Sequence, residues 1–185
     1  MRTFIAVDIP EEIRSKIGSL HKELNIDGLK LVDPSLVHLT LKFLGDTPGT
    51  KIDEVCRVLD TIETGALDMR MQGMGVFPNL KNPRVVWIGF EGDSKLRRIV
   101  EFIEDELSAI GFSRERKKFT SHLTIARVKR AGKRERSLIA DFVRDNANID
   151  LGKILVDKIK LKKSVLTPRG PIYTDIFTKE LKNLD

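Results

Sequence analysis

The strongest constraint on this chain is a repeat. His38-Leu39-Thr40-Leu41 and His122-Leu123-Thr124-Ile125 carry the same order of histidine, leucine, threonine and aliphatic residue. Successive side chains of a strand point to opposite faces, so each tetrapeptide puts an imidazole and a hydroxyl on one face and two aliphatics on the other. A fold that holds both needs two strands, each packed on one side and open on the other. The chain has only three histidines. At ordinary composition a given histidine is followed by Leu, Thr and an aliphatic on the order of once in a thousand cases. Two occurrences among three histidines point to a paired site rather than to surface strands that look alike by accident. His21 is the contrast: it falls where Ile13, Ile17, Leu20 and Leu24 form an apolar helical stripe, has no threonine partner, and reads as a solvated or boundary residue.

The remaining pattern gives strands over Arg2–Ile9, Leu36–Leu44, Leu67–Phe77, Val85–Phe90, His122–Val128, Ile154–Leu166 and Tyr173–Leu181. Helices fill the gaps. One opens at Pro10-Glu11-Glu12 and runs to about Leu24; a second, capped by Gly49 or Thr50, carries Ile52, Val55, Cys56, Leu59 and Ile62. A third runs from Ser94 to Gly111, and a fourth turns Leu138, Ile139, Phe142 and Val143 inward. In each half a motif strand is followed by a helix, with no glycine-rich phosphate loop and no dinucleotide fingerprint. The simplest account is a degenerate internal duplication within one domain spanning 1–185, its two lobes related by an approximate twofold axis so that His38 faces His122 across a groove.

A single cysteine excludes an internal disulfide and any multi-cysteine zinc cluster, and Cys56 at helical spacing reads as a small core residue. The N-terminal apolar run is interrupted by Asp8 and too short for a signal segment, and no stretch reaches membrane-spanning length. The expectation is a soluble cytoplasmic protein with no membrane partner. Of the net charge of +6, more than all is concentrated between Ser113 and Arg136, where ten basic residues stand against Glu115 and Glu135. A charge run is ordinarily a solvated face, but this one brackets the second motif, which makes a polyanion the economical partner. The few aromatic residues favour phosphate-directed binding over a broad stacking platform.

Histidine titrates near neutrality, so a pair can hold one imidazole as base and one imidazolium as acid. That suits in-line displacement at phosphorus: one histidine deprotonates the attacking water, the other protonates the leaving oxygen, and Thr40 and Thr124 donate to the non-bridging oxygens. The scheme calls for no metal and no cofactor. A two-histidine metal site would recruit carboxylates or a third imidazole, which neither motif supplies. By strict alternation Lys42 shares the face of His38, as a phosphate contact or a sheet-edge lysine, whereas Arg127 turns to the opposite face from His122 unless a bulge or strand end redirects it.

Both His-x-Thr-x elements resemble the defining motifs of the 2H phosphoesterase superfamily. Phe4-Ile5-Ala6-Val7-Asp8, His38-Leu-Thr-Leu-Lys-Phe-Leu-Gly-Asp46, Pro83-Arg-Val-Val-Trp87, Ser121-His-Leu-Thr-Ile-Ala-Arg127 and Ser164-Val-Leu-Thr-Pro-Arg-Gly-Pro-Ile-Tyr173 are similar to its bacterial and archaeal RNA 2′,3′-cyclic phosphodiesterase branch, also called 2′-5′ RNA ligase-like or LigT-like proteins. The resemblance implies an α/β fold of the α+β type, bilobal, with two antiparallel sheets flanking a central cleft and helices outside. It implies hydrolysis of RNA 2′,3′-cyclic phosphate ends to 2′-phosphates, with His38 as proton donor, His122 as proton acceptor and Arg127 at the phosphate. The partner it implies is RNA with a cyclic phosphate end, tRNA fragments included; a monomer is the expectation for the chain itself. Two alternatives stay open: 2′-5′ ligation of tRNA halves at the same site, and a non-catalytic RNA-binding module.

Overall fold

The computed structural model describes residues 1–182. Its elements run β1 (Arg2–Asp8), α1 (Glu11–Glu23), β2 (Leu29–Leu31), β3 (His38–Asp46), α2 (Gly49–Asp60), β4 (Leu67–Phe77), β5 (Val85–Glu91), α3 (Ser94–Ala109), β6 (His122–Val128), α4 (Lys133–Asp145), β7 (Asp150–Val156), β8 (Lys158–Thr167) and β9 (Gly170–Glu180). A 3-10 turn at Pro34–Leu36, capped by the Asp33 side chain, leads into β3. The strands form two antiparallel sheets, one ordered β3-β1-β8-β9 and the other β2-β6-β5-β4-β7. The fold is thus α+β, and the two motif strands occupy matching places: β3 beside β1 in the first sheet, β6 beside β5 in the second.

The helices interlock the halves. α1 follows a strand of the first sheet yet packs on the second, where Lys16 Nζ donates to the Leu151 carbonyl in β7 (2.9 Å) and α4 lies against β4. α3 follows a strand of the second sheet yet packs on the first beside α2. The buried faces merge into one cluster that includes Ile5, Ile17, Leu39, Ile88, Leu107 and Leu123. Burial on the order of 1.5–3 kcal/mol per large aliphatic side chain is therefore shared between the lobes. Neither sheet buries its helix side with helices from its own half alone.

Three expectations change. The stretch Ile154–Leu166 is two strands, not one: the buried residues Ile154 and Val156 in β7 give way to Ile159 and Leu161 in β8, a change of parity at Asp157 that moves the chain from one sheet to the other. The short edge strand β2 adds to the expected set, because three residues are too few to show alternation in sequence. His21 is not solvated. It is 9% exposed, and its Nε2–H donates to the Ile125 carbonyl in β6 (2.9 Å). Burial pushes the His21 pKa down, against the opposing effect of that hydrogen bond, and favours the neutral imidazole.

Candidate active site

His38 and His122 begin their strands, and the backbone holds both rings in the same way. His38 Nδ1–H donates to the Leu36 carbonyl (2.8 Å) and His122 Nδ1–H to the Thr120 carbonyl (2.7 Å), in each case two residues upstream. With Nδ1 engaged, Nε2 is the free nitrogen of each ring. Each ring also meets an aromatic edge-on, Tyr173 at 5.2 Å from His38 and Phe77 at 5.0 Å from His122, while Phe4 tilts against His38 at 4.8 Å. Thr40 and Thr124 follow on the imidazole faces, half-buried like the histidines, while Leu39 and Leu123 are fully enclosed behind them.

Both motif strands then break alternation at the same step. In β3, Thr40 pairs with Ala6 but Lys42 with Ile5, leaving Leu41 as an extra residue; in β6, Thr124 pairs with Trp87 but Ala126 with Val86, leaving Ile125 extra. These are β-bulges, and each turns two successive residues into the core: Leu41 with Lys42, and Ile125 with Ala126. The next residue in each strand, Phe43 and Arg127, changes face.

This corrects the placement of Lys42. Its ammonium points away from the histidines toward the helices, donating to Glu104 Oε2 on α3 (2.7 Å) and to the Ser113 carbonyl (2.9 Å). The residue that the bulge delivers to the His38 face is Phe43, paired with Phe4 in register and 71% exposed. The bulge in β6 likewise turns Arg127 to the face of Thr124, opposite to what alternation gives, and leaves it exposed. Its charge reaches the other lobe, opposing protonation of His38 and favouring ionisation of Tyr173, although burial outweighs it there and holds the Tyr173 pKa up. β3 and β6 lie against each other across the two sheets. Imidazoles, hydroxyls and the guanidinium are therefore carried by two strands that meet across the sheets.

The electrostatics differ between the halves. Burial pushes the His38 pKa below its ordinary value; the hydrogen bond to Leu36 and the Asp8 charge oppose this, while Lys162 and Arg127 add to it. Beside His38 lies a four-membered charge network. Lys160 and Lys162 each bridge Asp8 and Asp175 at 2.6–2.8 Å. Burial acts to raise the Asp8 pKa, but the bonds from the two lysines prevail and hold it low. On the other side the residue before His122 is clamped, since Ser121 Oγ donates to Asp93, which also receives Arg97 Nε (2.9 Å). The Trp87 indole lies against Gly75, where a Cβ would collide with it, and 5.2 Å from Phe77. Among the described residues no group of three or more His, Cys, Asp or Glu side chains is arranged to hold a metal ion.

Sequence reasoning misses Phe43, which stands at the same step after His38 as Arg127 after His122; that shared step is the signal that could have found it. Tyr173 enters as the start of a strand and in the closing segment that resembles the family, with no pattern of its own to mark it as part of the site.

A family model described as LigT like phosphoesterase matches residues 7–87 and 90–173. An RNA 2′,3′-cyclic phosphodiesterase of Archaeoglobus fulgidus is 38% identical over 177 residues, covering 95% of this chain and 98% of the relative. One of Methanocaldococcus jannaschii is 36% identical over 173 residues, covering 94% and 96%. Among solved structures, a protein of Thermus thermophilus superposes with a TM-score of 0.83 at 28% identity, each chain covered in full. E. coli LigT complexed with 3′-AMP shares the fold, with a TM-score of 0.80 at 21% identity over 97% of each chain.

Proposed function

The chain belongs to the LigT-like phosphoesterases of the 2H group, and from that premise we propose that its cleft hydrolyses RNA 2′,3′-cyclic phosphate ends to 2′-phosphates by two-histidine acid–base catalysis. The observation that carries this reading is the matched pair of imidazoles, each with Nδ1 tied to a backbone carbonyl and Nε2 left for substrate. Water attacks phosphorus in line with O3′. His122 Nε2 takes the water proton while His38 Nε2 gives its proton to the departing O3′, so that the P–O3′ bond breaks as the new P–O bond forms. The product is a 2′-phosphate beside a free 3′-hydroxyl, and proton exchange with solvent resets the pair.

Thr40 and Thr124 donate to the non-bridging oxygens as their charge grows, and Arg127 faces the same charge. His38 must be an imidazolium to act as donor, and burial works against that in the free protein. A bound phosphodiester anion restores the proton, because opposite charge a few ångströms away favours the charged form. Substrate thus completes the acid. The two lobes form one working unit by internal duplication, and since both histidines come from one chain the monomer suffices. The substrate is the cyclic end of an RNA, tRNA fragments among them, with the exposed Phe43 face available to a base.

The test is incubation of a short RNA ending in a 2′,3′-cyclic phosphate, in EDTA, with wild-type protein and with His38→Ala and His122→Ala. Each variant is expected to lose about 10²–10⁴-fold in turnover, with 2′-phosphate as the wild-type product. Near-normal turnover by both variants, or a 3′-phosphate product, would overturn the assignment. A 2′-5′ junction formed with a 5′-hydroxyl acceptor would mark ligation at the same site. Binding without turnover by wild type would mark a non-catalytic module.

A further inference from the structure

The bulge in β6 is what turns Arg127 into the cleft, and its extra residue, Ile125, is anchored from outside the strand. The Ile125 carbonyl accepts two hydrogen bonds, from the Val32 N–H just past β2 (2.9 Å) and from His21 Nε2–H on α1 (2.9 Å). A bulged residue drops out of the ladder on one side, so its backbone direction is set by whatever holds its free groups. His21 is well placed for this. It is a buried polar side chain in the middle of an apolar helix face, and its hydrogen bond spans 104 residues of sequence.

The other half of the molecule has a counterpart. β1 and β5 begin at Arg2 and Val85, α1 and α3 at Glu11 and Ser94, and the one offset that relates both pairs also relates His21 to Glu104. Glu104 holds the β3 bulge by taking the Lys42 ammonium. Each bulge is thus fastened by the residue at the equivalent position of the helix that crosses over from the opposite half. The two fasteners differ in chemistry but act on the same backbone device.

We infer that His21 is a positioning residue for Arg127: its bond to the Ile125 carbonyl fixes the β6 bulge and so the direction in which the guanidinium meets the substrate phosphate. The inference rests on the function proposed above. His21 itself lies on the helix side of the sheet and touches no substrate. A buried histidine that merely fills the core would be replaceable by an apolar residue of similar volume, and its loss would register in stability alone. A positioning residue leaves a different signature, because its effect must pass through Arg127.

The experiment is a double-mutant cycle on kcat/KM for a short RNA with a 2′,3′-cyclic end, using His21→Leu, Arg127→Gln and the double variant, with His21→Gln as the conservative control. A residue acting through a partner gives strongly non-additive losses. His21→Leu is expected to lower kcat/KM about tenfold in the wild-type background and less than about twofold once Arg127 is Gln. His21→Gln, whose amide can still donate to the carbonyl, is expected to stay within about threefold of wild type. Affinity for inorganic phosphate, followed through the Arg127 Nε resonance in an NMR titration, should weaken in His21→Leu and recover in His21→Gln. Equal losses from His21→Leu in both backgrounds, or no rescue by Gln, would overturn the inference. Should His21→Leu not fold, His21→Asn, whose shorter amide cannot reach Ile125, takes its place in the cycle. A wild type that binds phosphate but leaves the cyclic end intact would refute the functional reading instead, and the phosphate titration would then decide the positioning role by itself.

Discussion

Replacing Lys42 by Met separates the two places that a lysine near His38 could occupy. The Lys42 side chain is 3% exposed and its partner Glu104 is 12% exposed, so the pair is a buried one, 2.7 Å apart. Breaking a buried pair from one side typically costs about 3–5 kcal/mol, because the remaining charge loses its compensation in a poorly solvated place. Glu104 keeps one other donor, the Glu115 N–H at 3.1 Å. Methionine also keeps most of the apolar volume of the lysine stem, so the lower end of that range applies: about 3 kcal/mol. For a chain of this size each kcal/mol moves Tm by about 2–4 °C, giving a fall of about 6–12 °C. Removing both charges, as Lys42→Met with Glu104→Leu, should recover most of the loss, since apolar replacements of buried pairs are often neutral or better. Urea denaturation with matched m-values reads the stability, and kcat/KM on a short cyclic-ended substrate, measured well below Tm, reads the site. A lysine that contacts substrate phosphate would give a different result: stability within about 0.5 kcal/mol of wild type and a loss of kcat/KM that Lys42→Met with Glu104→Leu leaves in place. That outcome would refute the bulge-based placement.

Three other outcomes follow from the placement of His38, Phe43 and His21. The ring protons of His38, followed by NMR, should titrate below about pH 6.5 in the free protein, because burial and the nearby Lys162 and Arg127 charges oppose protonation; the midpoint should rise when a nucleoside 2′-phosphate is added, and a free-protein midpoint above the ordinary value would contradict the electrostatics. Phe43→Ala should lower kcat/KM about tenfold on a nucleotide substrate, in line with about 1–3 kcal/mol for a base stacked on an aromatic ring, yet leave an abasic ribose cyclic phosphate almost unaffected; equal losses on both would rule out stacking. The folded-state pKa of His21 is lowered by burial, so the unfolded chain binds the proton first. Its contribution to stability is complete above about pH 6.5 and lost as pH falls toward the folded-state value. Denaturant midpoints between pH 5 and 7 should therefore depend less on pH in His21→Gln than in wild type, and identical profiles would count against the burial of His21.

What is legible in the sequence, and what is hidden, follows from how local the determining signal is. The twin motifs can be read because two polar and two aliphatic residues in alternation commit a strand to two faces at once. The break at Asp157 is masked, because Leu155 stands between Ile154 and Val156 and the change of parity to Ile159 shows only once Leu155 is seen to be exposed. His21 misleads by chemical type: it stands four residues after Ile17 and next to Leu20, inside the helix face that packs inward, and only its polarity suggests solvent. The bulges are a different matter. A bulge has no composition of its own, and a buried lysine in one copy against alanine in the other disguises the pair of inward residues that marks it. Alternation carried past the bulge inverts the residues that follow it directly, which is why it favours Lys42 and disfavours Arg127 for the same wrong reason. With the bulges in place, the two motif strands are alike in backbone and unlike in chemistry. One turned-in position offers the flat apolar ring of Phe43, the other the guanidinium of Arg127. A nucleotide end also has two unlike parts, a base and a phosphate, and in the proposed function Phe43 is the residue offered to the first and Arg127 to the second.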